Sequence, residues 1–151
     1  MSEGAIQPGD RHTSPYSAKE KVGRMLWAVV QGTLFRWSFH TWNGWRAWLL
    51  RLFGASIARP VIIRRTVRVE CPWNLTLGKN SCLGDGVIAY CLGPVRIGER
   101  VSVSQHAHLC AGSHDYTRAD LPLLRPPITV EDDVWIAADA FIGPGVRVGR
   151  G

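Results

Sequence analysis

A six-residue repeat runs through residues 55–151 of this 151-residue chain. Large aliphatic residues return at every sixth position, and small or β-branched residues often stand two positions earlier. The repeated positions are Ile57, Ile63 and Val69; Leu77, Leu83 and Ala89; Ile97, Val103 and Leu109; and Val130, Ile136, Ile142 and Val148. Neither the two-residue period of a strand nor the period of a helix returns one residue class every six positions with glycine beside it. A solenoid with three sides of about six residues, and coils of about eighteen, does so by stacking the aliphatic side chains into internal ladders.

Glycine often follows the repeated position, as at Gly78 and Gly98, and we expect these glycines at the tight corners between sides. The repeat is interrupted after Ala89, where two extra residues stand, and again before Val130. At the second interruption a loop must leave the wall of the solenoid, at about residues 112–127. Loops held on rigid scaffolds are where functional residues concentrate.

The chain before the repeat divides into two parts. Residues 1–23 show no apolar periodicity and contain Pro, Gly, Ser and mixed charges, which predicts a disordered arm. Residues 24–54 hold five of the seven tryptophans, interleaved with arginines, and form the second part. Their longest uncharged run, residues 25–35, is well short of the ~20 residues that cross a bilayer.

An amphipathic helix is predicted between residues 44 and 54. Trp45, Trp48, Leu49 and Leu52 follow the i, i+3, i+4, i+7 spacing of one helical face, and Gly54 is suited to end the helix. Two roles for this segment stay open. It either covers the end of the solenoid or docks on an anionic membrane surface.

The chain is basic, with 18 Lys and Arg against 12 Asp and Glu and a formal net charge of +6. An anionic partner is expected, such as a phosphorylated cofactor, an acidic lipid surface or nucleic acid. No nucleic-acid-binding motif accompanies the charge, so we predict no nucleic-acid partner. The four cysteines show no CxxC spacing, and the first twenty residues lack the apolar run of a secretory signal. Reduced thiols in a cytoplasmic protein are therefore predicted.

Two segments carry a family resemblance: CAGSHDY at residues 110–116 and PPITVEDDVWIAADAFIGPGVRVG at residues 126–149. With the six-residue repeat, they resemble the hexapeptide-repeat acyltransferases, above all the colanic acid biosynthesis acetyltransferases and more distantly the galactoside and maltose O-acetyltransferases. The segment WLLRLFGASI at residues 48–57 is similar to the same branch. The resemblance implies an all-β fold, a left-handed parallel β-helix preceded by an N-terminal amphipathic helical segment. The left hand comes from the resemblance alone, since the general rule for parallel crossovers favours the right hand.

The resemblance also implies an O-acetyltransferase that moves acetyl from acetyl-CoA to a hydroxyl of a sugar in exopolysaccharide biosynthesis, with no metal. His114 occupies the position of the loop histidine that removes the acceptor's proton, and imidazole titrates close enough to neutral pH for that task. Asp115 either orients the imidazole or terminates a turn. Trp135 matches a tryptophan that lies along the pantetheine arm, and Ala138 matches a coil position whose backbone contacts the cofactor.

The partners implied are acetyl-CoA, a sugar or lipid-linked glycan acceptor, and further copies of the chain in a homotrimer. The aromatic segment would bring this cytoplasmic enzyme to the inner face of the membrane as a peripheral contact. Tyr90 and Cys91 stand where the related branch has an Asp-Asn pair, so acceptor-binding residues are not carried over. Related chains continue with further coils, so we expect a chain truncated at Gly151 with a weakened donor site.

Two other functions stay open from the sequence. Neutral imidazoles are good zinc ligands, and His106, His108 and His114 would supply three of them to a hexapeptide-type carbonic anhydrase. Their spacing differs from that family, however, and His106 and His108 flank the inward Ala107, so both should point outward. The other alternative is a coil without catalytic activity that serves as a structural or interaction subunit.

Overall fold

Short parallel strands form three flat faces around a common interior in the computed structural model, which describes residues 14–151. The first face contains β1 (Ser56–Ile57), β4 (Leu75–Leu77), β7 (Val95–Ile97), β12 (Ile128–Val130) and β15 (Arg147–Val148). The second contains β2 (Ile62–Ile63), β5 (Cys82–Leu83), β8 (Ser102–Val103) and β13 (Trp135–Ile136). The third contains β3 (Arg68–Val69), β6 (Ile88–Tyr90), β9 (His108–Cys110) and β14 (Phe141–Ile142). The predicted left-handed parallel β-helix is confirmed.

The interior is built from the ladders that the repeat predicts. On the first face Ile57 lies beside Leu77, Leu77 beside Ile97, and Ile97 beside Val130. All four side chains are buried. Each fully buried aliphatic side chain of this size contributes about 1.5–3 kcal/mol relative to its exposed state, so the stacked ladders supply much of the stability of the coil.

The coils are longer than predicted. Ile57 pairs with Leu77, twenty residues further on, because two extra residues follow Val69 as well as Ala89. The first extra pair forms part of a 3-10 turn at Pro72–Asn74. The Asn74 side chain donates from this turn to two carbonyls of the next coil. The repeat therefore has an interruption that the sequence analysis missed, and the coil length of about eighteen residues was wrong for these coils.

The predicted role of the glycines is also corrected. Gly78 does not provide a left-handed corner; a Cβ there would lie 2.4 Å from the carbonyl group of Gly98 in the next coil, so the close stacking of coils excludes a side chain. The left-handed backbone lies three positions after the ladder residue, at Asn80 (φ 58°), Arg100 (φ 55°) and Asp133 (φ 63°). Asn and Asp tolerate this conformation better than most residues.

A hairpin stands in the segment predicted to protrude. Its strands are β10 (Ser113–His114) and β11 (Leu123–Leu124), which pair antiparallel with His114 opposite Leu123. The hairpin follows β9 and precedes β12, so it leaves the coil at the corner that joins the third face to the first.

Two helices precede the coil. Helix α1 (Ala18–Val30) begins with a capping box in which Ser17 and Glu20 each accept a hydrogen bond from the other's main chain. The structure differs here from the predicted arm of residues 1–23, because this cap starts the helix before residue 23; residues 1–13 lie outside the described residues. A π-helical turn at Gln31–Phe35 continues α1, and α2 (Asn43–Leu52) ends near Gly54, whose φ is 90°.

These helices close the N-terminal end of the coil. The first coil has no preceding coil, so the carbonyls of Ile57, Ile63 and Val69 have no strand partner on that side. Each accepts a hydrogen bond from a side chain instead: Ile57 O from Arg51 Nε at 2.8 Å, Ile63 O from Arg46 Nε at 2.6 Å, and Val69 O from Trp27 Nε1 at 2.6 Å. One donor serves each of the three faces, which explains Arg46, Arg51 and Trp27 of the N-terminal segment.

The packing face of α2 differs from the predicted one. Its buried side consists of Arg46, Ala47, Leu49 and Leu50, whereas Trp45, Trp48 and Leu52 are exposed. The helix thus covers the end of the coil with one side and presents a second apolar side outward. Neither helix in residues 14–151 is long and apolar enough to span a bilayer.

Candidate active site

His114 lies on β10, exposed at the root of the hairpin. Its Nδ1 is 2.6 Å from the carbonyl oxygen of Leu121 across the hairpin. Because a carbonyl oxygen only accepts, Nδ1 of the neutral ring carries the proton and donates it in this hydrogen bond. Nε2 is then left with a free lone pair, which is the form a general base requires.

Leu121 is held in a strained conformation that belongs to this arrangement. Its φ of 47° lies in the left-handed region, which a branched apolar residue seldom adopts. Its main-chain N–H donates to Arg118 O at 3.1 Å, which closes the turn. The strain turns one carbonyl toward the imidazole, and such strain is often found at functional sites.

Asp115 does not contact the imidazole through a hydrogen bond. Its carboxylate accepts from the Thr117 hydroxyl at 2.6 Å and from the Thr117 main chain at 3.0 Å. These hydrogen bonds hold the pKa of Asp115 below its ordinary value. Its own N–H donates to Pro122 O at 3.0 Å. The structure places Asp115 in the second of its two predicted roles, that of shaping the turn.

A contact that the sequence analysis missed ties the hairpin to α1. Arg125, just after β11, donates from Nη1 to Glu20 Oε1 at 2.6 Å, and its guanidinium lies 5.2 Å from the centre of the Tyr16 ring. The hydrogen bond from Arg125 lowers the pKa of Glu20. These residues are 105 positions apart, so no local pattern signals their pairing. The contact steadies the strand opposite His114.

Trp135 lies on β13 with its side chain pointing outward from the second face and 73% exposed. Its Nε1 donates to Ser104 Oγ at 2.9 Å, which anchors one edge of the indole. Ala138 is exposed at the next corner, beside Asp139 with its left-handed φ of 58°. Together they offer a fixed apolar ring and accessible main chain, the kind of surface along which an extended, partly apolar ligand can lie.

One chain does not bring His114 and Trp135 to the same place on the coil. The hairpin leaves at the corner between the third and first faces, and Trp135 stands on the second face, which is opposite that corner in a three-sided coil. A site that uses both side chains therefore needs the hairpin of one copy and the second face of another.

The other two candidate histidines point outward, as predicted, on either side of buried Ala107. His106 stands at a corner with φ 59°. His108 packs edge-on between Tyr90 and Phe141, burial lowers its pKa, and its Nε2 has no hydrogen-bond partner in the described structure. Within residues 14–151, no three His, Cys, Asp or Glu side chains gather in a way that could hold a metal ion. The histidine triad of the carbonic anhydrase alternative is therefore not assembled.

Comparison with known proteins gives the following relatives. No family model matches the sequence. The chain is 44% identical over 126 residues to the "Putative colanic acid biosynthesis acetyltransferase WcaF" of Escherichia coli strain K12, an alignment that covers 83% of this chain and 69% of that protein.

Among solved structures, the hexapeptide-repeat-containing acetyltransferase VCA0836 of Vibrio cholerae is 25% identical, with a TM-score of 0.76 over 88% of this chain and 76% of that one. The same protein in complex with acetyl coenzyme A aligns with a TM-score of 0.73, at 24% identity over 92% and 76% of the two chains. A maltose O-acetyltransferase from Clostridium difficile 630 aligns with a TM-score of 0.75, at 19% identity over 87% and 71%.

Proposed function

Because this chain belongs to the hexapeptide-repeat acetyltransferases, in the group of the colanic acid biosynthesis acetyltransferases, we propose that it is an acetyl-CoA-dependent O-acetyltransferase acting on a sugar hydroxyl in exopolysaccharide biosynthesis. The observation that carries the proposal is the hydrogen bond between His114 Nδ1 and Leu121 O. With Nδ1 donating to this carbonyl, Nε2 is the nitrogen that can accept a proton, on an exposed ring at the root of a loop held by a rigid coil.

In the proposed reaction, His114 Nε2 takes the proton of the acceptor hydroxyl while that oxygen forms a bond to the thioester carbonyl carbon of acetyl-CoA. The resulting tetrahedral intermediate breaks its carbon–sulfur bond and releases the CoA thiol, with the imidazolium returning the proton to the sulfur. The Leu121 carbonyl holds the ring in one tautomer throughout and stabilises the imidazolium that forms. General base catalysis of this kind is worth about 10²- to 10⁴-fold in rate.

The donor would lie along the second face. The anchored indole of Trp135 offers an apolar surface to the pantetheine arm, and the exposed main chain at Ala138 offers hydrogen-bonding groups. The acetyl coenzyme A complex of the Vibrio cholerae acetyltransferase supports this donor, since the two chains share the fold. The formal charge of +6 suits the phosphates of CoA.

The assembly we propose is a homotrimer. Since His114 and Trp135 lie on opposite sides of one coil, each site would combine the hairpin of one copy with the second face of its neighbour. Such an interface joins two different surfaces, and it closes into a ring when the rotation between copies allows it. Three copies would then carry three identical sites. In this proposal the enzyme works in the cytoplasm.

The proposed base is tested with the 151-residue chain, acetyl-CoA and a panel of sugar acceptors, with release of the CoA thiol as the signal. His114→Ala should lower kcat by about 10²- to 10⁴-fold and leave acetyl-CoA affinity unchanged, because the imidazole acts on the acceptor. His106→Ala, at an exposed corner, is the matched control and should keep wild-type kcat. Full activity in His114→Ala would exclude the proposed base.

The donor site is tested by calorimetric titration with acetyl-CoA. Saturable binding that weakens in Trp135→Ala is the expected result. If the folded chain binds no acetyl-CoA, the structural or interaction subunit becomes the better description of this chain.

Mixing two impaired variants tests the shared site, at an acetyl-CoA concentration too low to saturate Trp135→Ala. If His114→Ala and Trp135→Ala chains are refolded together at equal amounts, a site is intact only when an unmodified hairpin meets an unmodified second face. In randomly assembled rings this happens at about a quarter of the sites, so about a quarter of the wild-type activity should return. A site contained within one chain would recover nothing.

A further inference from the structure

The two helices that close the coil, together with the segment between them, carry most of the exposed large apolar side chains. Eleven of the eighteen large hydrophobic side chains that are exposed in residues 14–151 lie between positions 22 and 52. They are Val22, Met25, Leu26, Val29, Leu34, Trp37, Phe39, Trp42, Trp45, Trp48 and Leu52. We call this set the cap surface. Contiguous exposed apolar residues on this scale mark an interaction site.

Contacts join the two helices within the cap surface. Trp45 stacks on Trp48 with ring centres 5.1 Å apart, and Trp45 Nε1 donates to Leu34 O at 3.1 Å. The outward side of α2 therefore meets the turn that ends α1. On α1, the exposed Val22, Met25, Leu26 and Val29 share one helical face by their spacing.

The charged residues of the segment that carries the cap surface are all basic, and the carboxylates of Glu70 and Asp85, later in the chain, reach it at Arg24 and Arg64. Residues 21–69 contain nine Lys and Arg and no Asp or Glu. Three of these cations are used inside the fold: Arg24 pairs with Glu70, and Arg46 and Arg51 donate to the coil edge. Others face outward, and among residues 14–151 no carboxylate forms an ion pair with Arg36, Arg65 or Arg68.

Those three arginines line one cleft beside the cap surface. The cleft has a volume of about 550 Å³, and Gln31 and Trp37 also contribute to its wall. Trp37 is 81% exposed at its rim. Three guanidinium groups beside an exposed indole provide donors for a phosphate group and an amphipathic ring for the layer next to it.

From these observations we propose that the cap surface docks on an anionic phospholipid bilayer, with the arginine cleft receiving lipid phosphate. Tryptophan favours the boundary between apolar chains and polar headgroups, and helices with an apolar side and basic flanks lie in that boundary. A second copy of the same surface is disfavoured as the occupant, because it would bring two basic regions together. The proposal does not depend on the acetyltransferase activity.

The test is co-sedimentation of the 151-residue chain with vesicles of phosphatidylglycerol and phosphatidylethanolamine, compared with phosphatidylcholine vesicles. Binding should be confined to the anionic vesicles and should weaken at 0.5 M salt by screening, a concentration at which the Debye length is roughly 4 Å. Arg36→Gln with Arg65→Gln should weaken binding about fivefold for each charge removed, hence about 25-fold together. Arg96→Gln, which removes an exposed charge from the outer side of β7, is the matched control and should bind like wild type.

The apolar part is tested by Trp45→Ser with Trp48→Ser, which should weaken binding at least about tenfold. Trp37→Ser provides a second variant, since the Trp37 indole donates no hydrogen bond within residues 14–151. Tyr116→Ser, 88% exposed on the hairpin, is the aromatic control. Circular dichroism confirms that each variant is folded. Glycerol phosphate at millimolar concentration should not compete if the bilayer is the ligand. The proposal is overturned by equal binding to both vesicle types, by no binding, or by tryptophan variants that change only the oligomeric mass in sedimentation.

Discussion

Replacing Arg46 with methionine should lower the free energy of unfolding by about 2–4 kcal/mol. The Arg46 side chain is completely buried, yet its guanidinium forms no ion pair with a carboxylate of residues 14–151. It donates five hydrogen bonds instead. The acceptors are Ile63 O, Ser38 Oγ, Phe39 O, His40 O and Asn43 Oδ1. One side chain thus pairs an edge carbonyl of the coil and fixes the turn before α2.

The magnitude follows from which of those bonds are buried. The bonds to Ile63 O and Ser38 Oγ are buried, and each acceptor left unpaired costs about 1–3 kcal/mol. The other three acceptors are partly accessible and regain water. Against this loss, burial and the neighbouring charges of Arg64 and Arg65 lower the pKa of Arg46, so removing its charge relieves part of the penalty. The net loss of about 2–4 kcal/mol corresponds to a fall in Tm of about 6–12 °C.

Urea unfolding followed by circular dichroism, at one protein concentration for all variants, measures this loss. Arg96→Met is the matched control, because Arg96 is exposed on β7, and it should stay within about 0.5 kcal/mol of wild type. Trp27→Phe removes a single buried edge bond, to Val69 O, and should cost about 1–3 kcal/mol. If Arg46→Met were as stable as Arg96→Met, capping of the coil edge would not be the task of this arginine.

Further predictions concern coil stacking and the buried thiols. Gly78→Ala would place a Cβ 2.4 Å from the Gly98 carbonyl group and should lower the free energy of unfolding by at least about 2 kcal/mol. Gly44→Ala, in α2, should instead raise it by up to about 1 kcal/mol, because within residues 14–151 the added Cβ meets no atom within 4 Å beyond its chain neighbours and its own helix backbone. A loss at both positions would contradict the stacking argument. Burial raises the pKa of Cys71 to about 12 and that of Cys91 to about 11, so both thiols stay protonated at pH 8. A thiol reagent should label them only after unfolding, as mass spectrometry of the peptides would show; rapid labelling in the folded protein would contradict their burial.

The repeat was sufficient to predict the coil because its signal is short-range. Ile57, Leu77 and Ile97 stack on one another at steps of twenty positions, and within each coil the six-residue pattern marks the three positions that face the interior. The pattern identified the interior positions and the place where a loop must leave. The coil length was wrong because the extra residues after Val69 fall at a corner, outside the six-residue spacing, although Cys71 there is buried in the same interior. The predicted role of the glycines was wrong because glycine is required there by the close contact between neighbouring coils. The six-residue repeat of the sequence gives no sign of that contact.

In the helical segment, too, the sequence predicted the local element but not the contacts that the element makes. Its composition and spacing predicted an amphipathic helix ending near Gly54, and α2 does end there. The side that packs was wrong, because the spacing of apolar residues grouped Trp45 and Trp48 with Leu49. Arg46 lies on the buried side because the first coil leaves three carbonyls without a strand partner, and Arg46 donates to one of them, Ile63 O. An arginine is seldom buried without an acidic partner, so residue type alone predicts an exposed side chain at this position.

For the candidate site, the sequence predicted which residues would carry chemistry: a histidine in a loop on a rigid coil, and an aromatic residue on a strand. The tertiary structure decided what each can do. It set the imidazole against the Leu121 carbonyl, turned Asp115 to Thr117, and placed Trp135 on the face opposite the hairpin. The physical reason is the separation along the chain of the residues that interact. A local repeat dictates which side chains enter the core, whereas hydrogen bonds between distant segments, such as Arg125 to Glu20 across 105 positions, exist only once the chain has folded.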